Sequence, residues 1–385
     1  MNIRNEIQGL MNRALTIRRA LHAIPEEGYK EVKTREKIQE VLRDLGYETQ
    51  PMAQTGLCCL IPGENTEKTI AFRADMDGLS IAEQTNVDYA STHHQMMHAC
   101  GHDGHMTMLL LLATYLKEQK TQPVCNVLLI FQPAEEGPGG AKVMVEEGLF
   151  TRYNVDEVYG CHIMPDLHEG WIATRKGPMM AQTGELYVEV VGKSAHGAAP
   201  HQGLDAILAA SQFVMALQSI VSRNIDPLKT SLITIGTIQG GERVNVIAGA
   251  VSLGGTMRAY EESVYDHMKK RVMDTAEGVG MTTGCQIKVR FVDMYPPVVN
   301  DDQLFENFTG LLDDDEWQEA QPLMIAEDFS FYQKQVPGLF FYLGGRNIEK
   351  GYVHGLHDSR FNFDESILLH GVEVYARILD KEEHR

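Results

Sequence analysis

The sequence is poor in the features that would tie it to a membrane, a nucleic acid or an oxidising compartment. Its longest unbroken apolar run, Met108–Ala113, is far short of the roughly 20 residues a membrane-spanning helix needs, so no membrane partner is expected. Lys and Arg number 34 against 53 Asp and Glu, a net charge of −19. That field repels phosphate backbones and anionic lipid surfaces, and no run of basic residues offsets it, which argues against nucleic acid. Six cysteines in 385 residues are too few for a disulfide framework; in a reducing compartment they are thiols or metal ligands. The opening stretch, MNIRNEIQGLMNRALTIRRALHA, scatters charge throughout and lacks the apolar core of a secretory signal, which reads as a cytoplasmic protein. Nucleotide and serine-hydrolase signatures are missing too. The residue five before Gly192 in VVGKS is Tyr187, GPGGAK is not GxGxxG, and neither GxSxG nor HExxH occurs.

What is present is an ordinary globular composition, 43% hydrophobic and 23% charged, on a chain long enough for two or three domains. Ile3, Ile7, Leu10, Ala14, Ile17 and Leu21 recur at helical spacing, as do Ile38, Val41, Leu42 and Leu45 ahead of Gly46. Three β-rich segments then run into polar or Gly-containing loops: TIAF into RADMDG, NVLLIF into QPAEEGPGG, and VDEVYG into CHIMPD. Helical stretches such as HMTMLLLLATYLKEQK, residues 105–120, lie between them. Alternation of this kind predicts an α/β sheet with parallel strands, whose carboxyl ends collect ligands. From Gly184 the order becomes βαββαβ, the split arrangement of a small ferredoxin-like unit, and after Tyr295, Pro296 and Pro297 the α/β pattern resumes. The expected architecture is therefore a two-domain α/β protein. Residues 1–183 and 296–385 form the catalytic domain, and residues 184–295 form an inserted lid.

The densest chemical signal is MHACGHDGH, with His98, Cys100, His102, Asp103 and His105 in nine positions. Imidazole and thiolate are preferred ligands of Zn²⁺ and similar ions, and ligands this close in an irregular loop can share one site. Surface histidines beside a buried cysteine are the alternative. Glu135 and Glu136 follow the NVLLIF strand, and adjacent residues at a strand end point apart. One carboxylate can then bind metal while the other acts as a base toward water; an exposed acidic turn is the competing reading. Cys161 and His162 follow a third β-like segment, and His354 and His357 precede the last helix.

RADMDGL, MHACGHD, FQPAEEGPGGA, GKSAHGAAPH, VNVIAG, GGTMR, AEDF and LH, in that order over nearly the whole chain, resemble the amidohydrolase branch of the aminoacylase metallopeptidase family. Hippurate hydrolases, auxin-conjugate hydrolases and N-acetyldiaminopimelate deacetylases belong to it, and HACGHDGHMTM, QPAEEGPGGA and SRNIDPL look most like the last of these. The resemblance implies a zinc-peptidase-like catalytic domain with a lid, and two divalent metal ions, Zn or Mn, held by Cys100, His102, Glu136, His162 and His357. It further implies Glu135 as general base, Asp75 as a carboxylate that orients a ligand, and His196 as the donor to the oxyanion. Asn245 and Arg258 would bind the substrate carboxylate. His98, His105, Cys161 and His354 fall outside the matched positions and read as supporting or packing residues. Ala248 stands where the family's NVIP has Pro. The implied activity is hydrolysis of the amide of a small N-acyl amino acid, with no nucleotide or organic cofactor. A homodimer is expected in which His196 can come from the partner's lid. A dipeptidase or aminopeptidase of the same family, and a non-catalytic metal-binding relative, are the alternatives.

Overall fold

The computed structural model describes residues 1–119 and 122–381. The chain falls into two units: Met1–Gly177, Val299–Gln321 and Asp328–Arg385 make the first, and Pro178–Val298 with Pro322–Glu327 the second.

The first unit is built on an eight-stranded sheet. Its strands lie in the order Gln50–Met52, Gly56–Ile61, Cys125–Gln132, Asn65–Asp75, Val155–His168, Gly338–Arg346, Ile172–Thr174 and Trp317–Glu319. The four central strands run parallel to one another, and the strand on either side of these four pairs antiparallel. Their sequences explain why: CNVLLIFQ is buried at every position, the near-continuous apolar run of a strand covered on both faces. The helix His102–Glu118 supplies one cover, buried continuously from His102 to Thr114, and packs against Met11–His22 and Ile367–Asp380.

Local rules and tertiary packing divide the rest. The first periodic stretch becomes two helices, Asn5–Gln8 and Met11–His22, interrupted at Gly9. The second becomes Val32–Asp44 and ends as the pattern predicts. Gly46, at φ +80°, lets its own N–H reach Arg43 O at 2.8 Å and that of Tyr47 reach Leu42 O at 2.9 Å, a Schellman closure that satisfies two terminal carbonyls. Two expectations change. CHIMPD is not a loop, because the strand Val155–His168 continues through it, paired with Gly338–Arg346. MHACGHDGH is irregular only up to Gly101, and His102, Asp103 and His105 open the helix. The helix expected to reach Lys120 is seen to Glu118; residue 120 lies outside the described residues.

The second unit is a four-stranded antiparallel sheet, ordered Ser231–Gly240, Ala250–Ala259, Gln182–Val191 and Gln286–Asp293. With the helices Ala206–Ser219 and Glu262–Thr283 it completes the βαββαβ order. Asp205 caps the first helix by accepting from Ile207 N and Leu208 N. With its π-helical continuation, Ala206–Asn224 is long and apolar enough to cross a membrane by length and composition, at 19 residues and mean hydropathy 1.3. No unbroken run revealed this, because Ser211, Gln212 and Gln218 punctuate it. In the fold, Ala209, Ala210, Phe213, Leu217 and Ile220 of this helix are buried in the second unit's own core.

A buried ion-pair network ties the N-terminal helix to the start of His102–Glu118. Arg18 Nε lies 2.9 Å and His22 Nδ1 2.8 Å from the same Asp103 oxygen. Arg18 also donates to Asn362 Oδ1 at 2.8 Å and lies over the Phe363 ring, 4.3 Å from its centroid. Burial opposes charge on Asp103, but Arg18 and His22 hold its carboxyl far below the usual carboxylate range. Removing one member strands the others without solvent. Asp103→Ala is expected to destabilise the first unit by about 3–5 kcal/mol, the usual cost of breaking a buried pair. The check is the guanidinium unfolding midpoint of the metal-free protein; a shift worth under about 1 kcal/mol would place this network among exposed pairs.

Candidate metal centre

Four pieces of the first unit converge. The strand Asn65–Asp75 delivers Asp75 at its last position and Asp77 just beyond. The strand Cys125–Gln132 leads into the Pro133–Gly140 loop that carries Glu135 and Glu136. That loop folds back tightly: a Cβ on Gly140 would lie 1.9 Å from Pro133 O, so only glycine fits there. The irregular segment before the helix His102–Glu118 presents Cys100. His357 sits in the loop ahead of the last helix, at φ +63°, its N–H bonded to Ala99 O at 2.9 Å. A left-handed histidine is a strained conformation, of the kind held at functional positions by surrounding contacts.

With His162 on the strand Val155–His168, these pieces bring all five expected ligands together. Cys100, His102 and His162 each offer a ligand atom within 4.8 Å of the others, as do Cys100, Glu136 and His357, so the two sets share the cysteine. His102, Glu135 and Glu136 form a third set at the same spacing. Cys100 Sγ is 3.4 Å from His162 Nε2, and His357 Nε2 is 3.0 Å from Glu136 Oε1.

Hydrogen bonds fix which atoms face inward. His162 Nδ1 lies 2.8 Å from Ile163 O and His102 Nδ1 2.9 Å from Asp77 O. A carbonyl can only accept, so each ring carries a proton on Nδ1, which leaves Nε2 as the nitrogen that faces the cluster. His102 Nε2 is buried and has no hydrogen-bond partner, which is the state of a donor atom awaiting a metal. The mixed sulfur, nitrogen and carboxylate set suits a borderline divalent ion. The site therefore fits the metal ions that the sequence implies.

Electrostatics divide the ligands. Burial pushes the His162 imidazole down to about 3, leaving the neutral, ligating form. Burial works against charge on His102 too, but the Asp75 and Asp77 carboxylates raise it to about 10. Burial and the Glu136 and Glu135 carboxylates hold the Cys100 thiol well above its ordinary value. These two groups bind metal only by losing protons.

Asp77, which the motif reading passed over, joins the site's two halves. Its carbonyl takes the His102 ring, while its carboxylate accepts from Glu135 N at 3.1 Å and Glu136 N at 3.0 Å. The available signal was the doubled aspartate of RADMDG, of which only Asp75 stood out. Asp75 bonds His105 Nδ1 at 2.6 Å and Arg73 Nη1 at 2.7 Å, and its carboxylate is 3.6 Å from His102 Nε2. Asp328 of AEDF completes that layer, 2.9 Å from Arg73 Nη2. His98, His105 and Cys161 are interior, and His354 faces Asp358 at 3.6 Å.

His196, Asn245 and Arg258 belong to the second unit. His196 pairs with Val246 in a short antiparallel ladder, its Nδ1 accepting from Ala198 N at 3.1 Å. Asn245 O accepts from Gly197 N at 2.8 Å, which makes His196 and Asn245 near neighbours. Arg258, on the strand Ala250–Ala259, donates to Met324 O. Ala248 is buried just past that ladder, and its carbonyl accepts from Ala206 N at 3.1 Å.

Known proteins resemble the chain over almost its whole length. It is 39% identical over 364 residues to the N-acetyldiaminopimelate deacetylase of Halalkalibacterium halodurans, covering 93% of this chain and 96% of that protein. It is 38% identical over 369 residues to the IAA-amino acid hydrolase ILR1-like 4 of Arabidopsis thaliana, covering 94% and 83%. Among solved structures, it superposes on the Bacillus subtilis YxeP protein, a dinuclear metal-binding peptidase of the M20 family. The TM-score is 0.85 at 29% identity, and 97% of this chain and 98% of that one are covered. The profile of peptidase family M20/M25/M40 matches residues 71–381, and the chain belongs to that family.

Proposed function

We propose that the protein is a metal-dependent amidohydrolase that cleaves small N-acyl amino acids to a carboxylic acid and a free amino acid. N-acetyldiaminopimelate, the substrate of a lysine-biosynthetic deacetylase, is the leading candidate. The observation that carries the reading is the meeting of buried Cys100, His102 and His162 with the more exposed Glu136 and His357, beside a further carboxylate, Glu135, within one cluster. Relatives at 38–39% identity that are named as a deacetylase and an amino acid hydrolase support it.

Cys100, His102, Glu136, His162 and His357 would hold two divalent ions, Zn or Mn. When bound, such a pair supplies Lewis acidity toward the scissile carbonyl and lowers the pKa of a water. Glu135 takes the proton from that water and returns it to the leaving amine. Its backbone N–H is fixed by Asp77, so the carboxylate is presented from a held loop. His196 donates to the developing oxyanion, and a partner subunit can supply it in a homodimer. Arg258, with Asn245, grips the substrate's α-carboxylate, since the guanidinium fork matches a carboxylate in two bonds. The enzyme is read as cytoplasmic.

Turnover of N-acetyldiaminopimelate, hippurate and N-acetylcysteine by metal-reconstituted protein tests the activity. Hydrolysis of free-amine dipeptides alone would favour the peptidase reading. No turnover of any substrate would favour the non-catalytic one.

Three comparisons test the roles. Cys100→Ala should lose metal stoichiometry and activity together, whereas Cys285→Ala, in the second unit's core, should lose neither; full metal content in Cys100→Ala removes the thiolate from the site. Glu135→Gln should retain both metals and lose about 10²–10⁴-fold in kcat, the range of a general acid–base group. The same phenotype in Glu136→Gln would exchange the two roles. Wild type should strongly prefer an N-acetyl amino acid over its C-terminal amide in kcat/KM, and Arg258→Ala should lose that preference. Equal use of acid and amide by wild type rules out the clamp.

A further inference from the structure

His105 is fully buried in the first unit, close to the ligand cluster, and the mechanism above gives it no task. Its spacing to Asp75 and His102 is that of a metal-binding triplet, but its hydrogen bonds exclude that use. Nε2 accepts the N–H of Ile163 at 2.9 Å, and Nδ1 lies 2.6 Å from Asp75 Oδ1. A backbone N–H can only donate, so Nε2 holds the lone pair and Nδ1 the proton. Neither nitrogen is left for an ion.

The residue His105 grips is the one that orients His162. Ile163 O receives the His162 Nδ1 proton at 2.8 Å, and His162 Nε2 then faces Cys100 Sγ at 3.4 Å. Ile163 stays paired with Leu343 on one side. On the other, the ladder between Asn65–Asp75 and Val155–His168 ends at Arg73 and Gly160, and His105 meets the Ile163 N–H beyond that end. Left unpaired, that buried N–H would cost about 1–3 kcal/mol or turn to find another partner, carrying the neighbouring carbonyl with it. Behind His105, Asp75 is held by Arg73 at 2.7 Å, and Arg73 by Asp328 and Gln132, each at 2.9 Å. All of these side chains are buried. The His105 and His162 rings also meet edge to face, with centroids 4.7 Å apart at 63°.

We infer that His105 is a positioning residue. Held by Asp75, it pins the backbone at Ile163 and so fixes the tautomer and direction of the His162 ring toward the metal centre. The inference rests on the proposed function only through the ligand role of His162. The Ile163 carbonyl sits directly on the ligand ring, as such supports usually do, and His105 holds the residue that carries it.

The test uses Co²⁺ as probe, in the metal-free full-length chain refilled with the ion, and compares wild type with His105→Leu and His105→Gln. Leu keeps the bulk without an acceptor, whereas the Gln amide oxygen can reach the Nε2 position. His105→Leu should bind one of two Co²⁺ ions about 10–100-fold more weakly by chelator competition, the usual loss when a ligand's support is removed. Its visible d–d bands should shift, and His105→Gln should recover most of both. A packing role alone would lower the unfolding midpoint and leave affinity and spectrum unchanged; that result overturns the inference and leaves the proposed function standing. Failure of wild type to bind Co²⁺ at all defeats both. A measurement without variants stands behind these: ¹⁵N shifts of the histidine rings in metal-free wild type should show His105 and His162 both protonated at Nδ1. An Nε2–H tautomer at His105 contradicts the proposal.

Discussion

Asp77 is the constraint on which the site depends. Two residues past the end of a central strand, it receives the His102 ring on its carbonyl and two consecutive backbone N–H groups on its carboxylate. Those N–H groups belong to Glu135 and Glu136, so a single buried side chain sets the distance between the helix that carries His102 and the loop that carries the acidic pair. Charge-assisted bonds to backbone donors are strong and directional. An interior anchor of this kind keeps two carboxylates close together, where their mutual repulsion would otherwise drive the loop outward.

Around that anchor the centre is layered. Inside lie donor atoms with no protein partner or with only each other, such as His102 Nε2. Outside them lies a shell in which nearly every polar atom is committed: Arg73 to Asp75, Asp328 and Gln132, and His105 to Asp75 and Ile163. Farther back, Arg18 and His22 clamp Asp103 beside His102. The inner atoms are reactive because the outer ones are not. Isolated buried charges would be costly, and it is the pairing of nearly all the surrounding polar atoms that makes the inner ones tolerable.

Motifs in the sequence named the inner layer and missed most of the outer one. Cys100, His102, Glu136, His162 and His357 were legible because residue type and local spacing offered them as candidates and the family resemblance picked them out as a set, and the fold brings all five together. Asp77 and Arg73 were not, and His105 was legible only as a supporting or packing residue, because their roles rest on partners as far apart as the 255 residues between Arg73 and Asp328. The segment CHIMPD misled for the same reason. Its polar, Pro-containing sequence looks like a loop, yet pairing with Gly338–Arg346 holds it as strand and gives Ile163 the backbone position from which it meets His105.

The sequence by itself determined the α/β alternation, the βαββαβ insertion, the helix that closes at Gly46 and the ligand types of the centre. Each follows from short-range periodicity, turn chemistry or the donor chemistry of a side chain. Only the tertiary structure decided where the strand through His162 ends, that the helix begins at His102, and which nitrogen of each histidine faces the cluster. Those outcomes depend on which carbonyls and amides lie nearby once distant strands have paired, and no local pattern contains them.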